Sequence, residues 1–341
     1  MPEPYAIGII GLGVMGQRML DRLHGHPRFR PLSAWDPDPA ARAALRARHP
    51  QLQVPDEPEQ LLTQAGLRGV YIASPPASHL HWAERAFALG LPVLCEKPLA
   101  VDAEAAARTL QLLRQGQHRA AVNFSLASSS GLAQLQSCFG AASRHPMGEL
   151  ESVQLTLRFA SWPRPWQRGA GAWLAGRAEG GFCREVLSHF IFVLQRVLGA
   201  AEVVHSELVY PAQPEAAEIG LRARLFAAGV PVDIDAAVLG QEADVNEMRW
   251  RARGGEVWLS DWFRRIRLRK DEDWRELGER DLRPDLTEAD LLEHWSALLD
   301  GRSHALPGFA EALAVQQTIE ALLSGGRQAA PPSSNMGEAD R

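Results

Sequence analysis

Along the first 120 residues, short apolar runs alternate with stretches whose apolar positions recur every three or four residues. The runs 6–10, 32–35, 69–73, 92–95 and 120–124 are rich in apolar and β-branched residues and end in turn or polar residues. That is the pattern of buried strands. Amphipathic helices are predicted over 14–23, 39–48, 58–64, 78–89 and 103–114, with a short extra strand at 52–54. Strict alternation of strand and helix implies parallel pairing through right-handed crossovers, and so a doubly wound α/β sheet.

Beyond residue 122 the rhythm changes. A polar helix over 125–139, a long strand over 150–159, a Trp-, Arg- and Gly-rich loop and a strongly apolar helix over 182–198 follow in turn. Six runs with period-two alternation come next, at 203–210, 220–226, 232–239, 247–253, 256–260 and 264–269. Strands in succession without helices between them predict an open, mainly antiparallel sheet in an α+β arrangement. Helices over 287–299 and 307–323 close the folded part, and the residues after 325 have the Gly, Ala, Pro and Ser content of a disordered tail.

Composition narrows the function classes. With 341 residues, 46% of them hydrophobic and 23% charged, the chain reads as a soluble two-domain globular protein. Its net charge of −5 gives no general attraction for nucleic acid or anionic lipid, so neither is an expected partner. No apolar run reaches the roughly 20 residues that cross a bilayer. The amino-terminal apolar stretch breaks into a glycine turn, unlike a secretory signal. Cys95, Cys138 and Cys183 lie far apart, so neither a disulfide framework nor a metal site is expected and the cytoplasm is the expected compartment.

Gly11-Leu12-Gly13-Val14-Met15-Gly16 follows the first strand and opens the first helix. Gly11 allows the tight turn, Gly13 lets backbone approach a pyrophosphate, and Gly16 lets helix and strand pack closely. The helix amino terminus adds free N–H groups and partial positive charge for that anion. Asp36, 20 residues beyond Gly16, ends the second strand where a carboxylate accepts from an adenosine ribose and repels a 2′-phosphate. NAD is therefore the expected cofactor, with Arg42 the nearby cation that keeps NADP open.

Arginine occurs 34 times and lysine twice, yet a lysine, Lys97, ends the fourth strand in Cys95-Glu96-Lys97-Pro98. Ligands of doubly wound sheets bind outside the carboxyl ends of strands. An ammonium there can donate or relay a proton, whereas a guanidinium stays protonated.

The glycine turn, Ser74-Pro75-Pro76-Ala77-Ser78-His79 and Glu96-Lys97-Pro98, in that order, resemble the Gfo/Idh/MocA oxidoreductases, the glucose–fructose oxidoreductase and inositol dehydrogenase family. The resemblance runs over 5–325 and implies a Rossmann domain over 1–122, a substrate-binding and oligomerisation domain over 123–325, and a tail over 326–341. It implies that Lys97 contacts the reacting hydroxyl or carbonyl, and that Ser74, Pro75 and Pro76 lie along the nicotinamide side of the cofactor. Glu96 and His79 join that cofactor set, His79 as a hydrogen-bonding residue at a helix start.

Glu185 and His189 stand four apart on the apolar helix, so they share one face. Burying them costs several kcal/mol unless they are paired or face a cleft. By resemblance His189 matches a histidine that serves as general base or acid. Glu185 stands where the family has aspartate, and Leu187 where it usually has glycine. The competing reading is a satisfied core histidine with Glu185 paired to an arginine.

Three further signals are weaker. Trp162, Arg164, Trp166, Arg168 and Trp173 are expected to form an aromatic and cationic substrate wall, or else a subunit contact. Asn123, after the last parallel strand, is expected to reach substrate. Arg264, Arg265, Arg267 and Arg269 alternate with apolar residues and read as a solvated strand face. Together these features predict a nicotinamide-dependent oxidoreductase acting on a secondary alcohol or ketone of a sugar, cyclitol or polyol, assembled as a homodimer or homotetramer through its open sheet. The alternative is a non-catalytic dinucleotide-binding regulator of the same fold.

Overall fold

Five strands, β1 (Tyr5–Ile10), β2 (Phe29–Trp35), β3 (Gly69–Ile72), β4 (Val93–Glu96) and β5 (Ala120–Asn123), pair in parallel in the order β2-β1-β3-β4-β5. The computed structural model describes residues 3–140, 147–238, 240, 243–270, 273–278, 291–325 and 327–329. Helices α1 (Val14–His24), α2 (Pro39–Arg48), α3 (Pro58–Leu62), α4 (His79–Ala88) and α5 (Ala103–Gln115) form the crossovers. Ile7 and Ile9 face α1 and α2 through Met19, Leu20 and Leu45. Val70, Ile72, Val93 and Val122 face the other way, onto Leu61, Ala83 and Phe87. Both faces are covered, so the strands are apolar throughout rather than alternating. The strand expected at 52–54 is reduced to a single bridge between Ser33 and Gln53.

The switch in strand order, where β1 lies between β2 and β3, opens a crevice above their carboxyl ends. Short caps fix the loops around it. Asp38 accepts from the Ala40 amide (2.8 Å) to start α2, with Pro39 as its first residue, and Asp102 accepts from the Glu104 amide (2.8 Å) to start α5.

The second half contains α6 (Ser130–Phe139), β6 (Leu150–Phe159), α7 (Ser188–Leu198), β7 (Ala201–Val209), β8 (Gly220–Ala227), β9 (Val230–Val238), β10 (Val245–Ala252), β11 (Gly255–Ser260), β12 (Arg265–Lys270), β13 (Asp273–Leu277), α8 (Leu291–Leu299), α9 (Phe309–Ser324) and β14 (Arg327–Ala329). The strands form one open sheet, β13-β12-β11-β10-β6-β9-β8-β7-β14. The pairs β6–β9 and β7–β14 are parallel and the others antiparallel. Its inner face carries Val153, Leu155, Leu157, Leu225, Ile234 and Trp250 onto α6, α7 and α9. Its outer face carries ion pairs such as Arg158–Asp235 and Arg224–Asp233.

Four details differ from the sequence reading. The helix expected over 125–139 is split, because the Ser129 hydroxyl accepts from the Leu132 amide (3.2 Å) and starts α6 anew after a 3₁₀ turn, Ser125–Ser128. The apolar helix over 182–198 opens as a π-helical turn, Cys183–Leu187. β13 has no apolar alternation to reveal it, being an exposed edge held through Glu276 by Arg265 and Arg267. The tail expected from 326 contributes β14, because α9 runs along β7, where the Ser206 hydroxyl donates to Leu322 O (2.7 Å), and delivers the chain to that sheet edge. Residues 287–290, Leu239, the side chain of Arg168 and 330–341 lie outside the described residues.

Helix α8 returns to the first sheet. Its Trp295, fully buried, packs against Phe29 and Tyr71, and Leu292 and Leu298 join the same apolar cluster as Ile7 and Ile9.

Candidate active site

A cleft of about 1170 Å³ runs from the end of β2 past the start of α1 to the π-helical turn before α7. That exceeds the roughly 300–1,000 Å³ of ordinary small-molecule pockets, leaving room for a dinucleotide and a second ligand.

The glycine turn forms one wall. Gly11 has φ +96°, and a Cβ there would lie 2.5 Å from the Ala73 backbone. At Gly16 a Cβ would lie 1.9 Å from Gly11 O, so this glycine serves packing beneath the cleft. A Cβ at Gly13 would meet nothing within 4 Å, so no protein contact demands glycine there, and the bare backbone faces the cleft with Val14 and Met15. The first turn of α1 carries no acidic side chain to oppose an anion. These features fit the pyrophosphate of a dinucleotide. Asp36 braces the turn as well, its two oxygens accepting from the Leu12 amide (2.7 Å) and the Asp38 amide (2.9 Å). A carboxylate has about four acceptor sites, so two remain for a ribose. Arg42 is turned away, donating to Asp36 O (2.7 Å) and Pro37 O (3.1 Å) and reaching Asp56.

The ends of β3 and β4 form the next wall. Ser74, Pro75, Pro76, Glu96 and Lys97 all line the cleft. His79 ties these two strand ends together, with Nδ1 2.8 Å from Pro98 O and Nε2 2.7 Å from Ser74 O. It is fully buried, which pushes its imidazole below the usual range, and its position is that of a brace. The Lys97–Pro98 peptide is cis. Glu96 accepts from the Tyr71 hydroxyl and from Asn123 Nδ2 (2.7 Å), and burial pushes its carboxyl up.

Across the cleft, the π-helical turn directs Glu185 toward β4. Lys97 Nζ donates to Glu185 Oε2 and to Glu185 O (3.2 Å), forming an ion pair in which both side chains are about nine-tenths buried. A wide turn shifts the side-chain angle from that of a regular helix, and such turns often mark functional sites. His189 follows, edge-on to Phe124 (5.7 Å) and Trp262 (5.9 Å), with Nδ1 3.4 Å from the Ser125 hydroxyl. Burial, then the nearby Lys97 and Arg164 charges, hold the His189 imidazole well below its usual range, so it is neutral at pH 7. Two buried acceptors on the cleft wall, Asn123 Oδ1 and Glu185 Oε1, have no partner among the described residues.

The loop after β6 and the hairpin between β11 and β12 close the cleft. Trp166 lies between two guanidinium groups, Arg18 on α1 at 4.1 Å and Arg164 at 4.7 Å from its ring centre. Asp261, Trp262 and Phe263 are three consecutive residues with positive φ (51°, 54° and 65°). Such backbone costs of order 1–3 kcal/mol per residue, and here it carries Trp262 into the cleft beside His189.

Lys97, Asn123, Arg164, Trp166, Trp173, Glu185 and His189 thus line one cleft with the glycine turn. Trp162 does not join them. Its indole donates to Leu174 O (3.2 Å) and packs edge-on against Phe182 (5.9 Å), so it supports the loop from behind. The arginine run is also corrected. Arg265 and Arg267 pair with Glu276 and Arg269 with Glu256, while Arg264, before β12, lines the cleft. Sequence reasoning missed Trp262, Arg264, Ser125, Ser128, Ser129 and Arg18. A bulky tryptophan in a hairpin turn, where glycine or asparagine is usual, was the available signal for Trp262.

Comparison with known proteins finds likeness of sequence in the first domain and of fold over the whole chain. Residues 5–124 match the oxidoreductase family with an NAD-binding Rossmann fold. That match spans the first third of the chain, where it is similar to the Gfo/Idh/MocA oxidoreductases. Its relatives include an inositol 2-dehydrogenase of Corynebacterium glutamicum, 33% identical over 113 residues, which are 33% of this chain and 34% of that protein. Another is the inositol 2-dehydrogenase of Gluconacetobacter diazotrophicus, 31% identical over 134 residues, 38% of this chain and 40% of that protein. The chain spans about a third of the length of the inositol dehydrogenases it matches first. The whole-chain fold is shared with a 3-ketoreductase from Actinomadura kijaniata solved with NADP and TDP-benzene, at TM-score 0.77 and 19% identity, covering 97% of this chain and 100% of that one. An Agrobacterium radiobacter oxidoreductase solved with NAD+, L-tartaric acid and magnesium shares it too, at TM-score 0.76 and 17% identity over 94% and 96% of the two chains. Within the Gfo/Idh/MocA match lie the glycine turn, Ser74–Pro76 and Glu96–Pro98; Glu185 and His189 lie beyond it.

Proposed function

We propose that this protein is an NAD-dependent oxidoreductase that interconverts a secondary alcohol and its ketone on a sugar, cyclitol or related polyol. The observation that carries the reading is the convergence of Lys97, Glu185 and His189 in the cleft that holds the glycine turn. When bound, NAD supplies the acceptor for a hydride from the carbinol carbon, and its reduced form supplies the donor in reverse. The protein's own part is proton handling and charge. His189, neutral at pH 7, takes the hydroxyl proton as hydride leaves, so two electrons and one proton go with the hydride and the second proton stays on the imidazole. Lys97 steadies the negative charge that develops on the substrate oxygen, and Glu185 aims the ammonium. Asn123 accepts from a neighbouring substrate hydroxyl through its unpartnered Oδ1.

Asp36, with Arg42 held by backbone carbonyls, supports NAD over NADP. The Rossmann domain of this reading spans 1–122 and the substrate domain 123–325, with α8 returned to the first sheet. The outer face of the large sheet, on which no helix of the described residues packs, supports a homodimer or homotetramer. Among the described residues no helix is long and apolar enough to cross a membrane, and Cys95, Cys138 and Cys183 are buried thiols outside any disulfide, in keeping with a cytoplasmic enzyme.

The test is absorbance at 340 nm with NAD and a panel of sugars, cyclitols and their acids. NADH formation that requires Lys97 supports the proposal. Tight NAD binding with no turnover across the panel would favour the regulator instead. Sedimentation at micromolar concentration tests the assembly, and a monomer would refute it.

A further inference from the structure

Among the described residues Arg164 is a partly buried cation with no carboxylate in ion-pair contact. Its Nε donates to Gln167 Oε1 (3.1 Å), and its guanidinium sits among the rings of Trp166 (4.7 Å), Trp262 (5.4 Å) and Phe159 (5.6 Å). Among the described residues its terminal nitrogens have no hydrogen-bond acceptor, and no carboxylate lies within ion-pair distance. Three other partly buried arginines are paired, Arg158 with Asp235, Arg184 with Glu320 and Arg196 with Glu311, and Arg177 lies against the Tyr210 ring instead. Taking a guanidinium out of water without a partner is costly, and burial holds that of Arg164 below its usual range. The acids whose charge reaches Arg164, Asp244 and Glu185, are each engaged through one oxygen, with the Ala160 amide (3.0 Å) and with Lys97 Nζ. Arg264 adds a second cation to the same cleft from the strained hairpin, and the described structure gives its guanidinium no carboxylate.

We propose that the substrate is an acid: a polyhydroxylated carboxylate whose carboxylate is held by Arg164, aided by Arg264, while the oxidised carbinol sits between Lys97 and His189. This rests on the oxidoreductase reading and narrows its substrate class. The remaining lining matches such a molecule. Ser125 and Ser128 offer hydroxyls, Asn123 Oδ1 and Glu185 Oε1 are open acceptors, and Trp173 and Trp262 are broad faces for C–H groups. A planar fork set among aromatic rings suits a planar carboxylate through two parallel N–H···O bonds. The same fork accepts a phosphate, so the phosphate monoester in the matched set below separates the two anions, while the helix start belongs to the dinucleotide.

The experiment compares matched sets on the NAD-loaded protein: a neutral sugar or cyclitol, the corresponding uronic or aldonic acid, and the corresponding phosphate monoester. Two quantities are read, kcat/KM at 340 nm and binding by calorimetry, in the wild type, Arg164→Met and Arg164→Lys. The acid is expected to exceed its neutral counterpart by about 10- to 100-fold, the range of a charge-assisted hydrogen-bonded pair. Arg164→Met should collapse that ratio toward one, mainly through KM, and Arg164→Lys should restore part of it. Three results would overturn the inference: a neutral or phosphorylated compound preferred over the acid, a ratio that survives Arg164→Met, or Arg164→Met weakening NAD binding with the ratio intact. If no compound turns over, the oxidoreductase reading fails by itself, while Arg164-dependent binding of the acid still upholds this one and its absence removes it.

Discussion

Lys97 and Glu185, 88 residues apart in the chain, form a buried ion pair across the cleft, one at the end of a parallel strand and the other on a π-helical turn. The pair joins the two halves of the protein at the point where the glycine turn, the proline-rich segment and His189 meet.

Replacing Lys97 by Met should lower turnover by roughly 100- to 10,000-fold while NAD still binds. Removing one partner of a buried pair also costs stability, about 3–5 kcal/mol. Lys97→Arg keeps a cation for Glu185 and separates the two effects: the fold should hold and turnover should still fall. Steady-state kinetics with NAD titration by fluorescence checks this, and turnover unchanged in both variants would remove Lys97 from the chemistry.

The pH profile follows from His189. Its imidazole is held below 6.5, so it stays unprotonated through neutral pH and takes a proton only in acid. In the oxidation direction kcat/KM should be flat across neutrality and fall as pH drops below 6.5, because the protonated ring cannot accept the substrate proton. Stability follows the same sign. The unfolded chain binds that proton near 6.5 and the folded one only lower, so stability present above 6.5 is lost as pH falls toward the folded value. His189→Asn should abolish the acid limb along with most activity, and an unchanged limb would assign it to another group.

Cofactor choice rests on one charge. Asp36→Asn keeps an oxygen for the Leu12 amide and removes the repulsion of a 2′-phosphate. The NADP/NAD ratio of dissociation constants should move toward NADP by about tenfold, the size of one charged contact. Wild-type protein that already prefers NADP would contradict the account.

The glycines separate binding from folding. Gly13→Ala adds a methyl in open space with φ −66°, so the fold should tolerate it while NAD binding weakens. Gly16→Ala drives a Cβ into Gly11 O and should lower the melting temperature outright. Thermal unfolding with and without NAD distinguishes them, and equal destabilisation by both would refute the division of roles.

Much of this was legible in the sequence for a physical reason. Strands buried on both faces, as β1, β3 and β4 are, must be apolar, and helices that cover them must be amphipathic, so the doubly wound half announces itself. Lys97, Glu185 and His189 stood out because each breaks an apolar context. What stayed hidden was set by long-range packing. α8 covers the first sheet although it follows the second in the chain. β13 is an edge with no buried face to impose a period. Trp162 and Trp166 sit four residues apart in one loop, yet one packs behind it and the other faces the cleft, a difference decided by Phe182, Arg18 and Arg164 rather than by local pattern. Arg264 looked like its neighbours 265, 267 and 269 until the hairpin turned it the other way.

The most direct measurement is a crystal structure of the protein with NAD and a substrate acid. The pyrophosphate is expected over Gly13, the nicotinamide beside Ser74–Pro76, and the carbinol oxygen within about 3.5 Å of both Lys97 and His189. A nicotinamide ring pointing out of the cleft, or Lys97 and His189 on groups other than the reacting carbon, would contradict this arrangement.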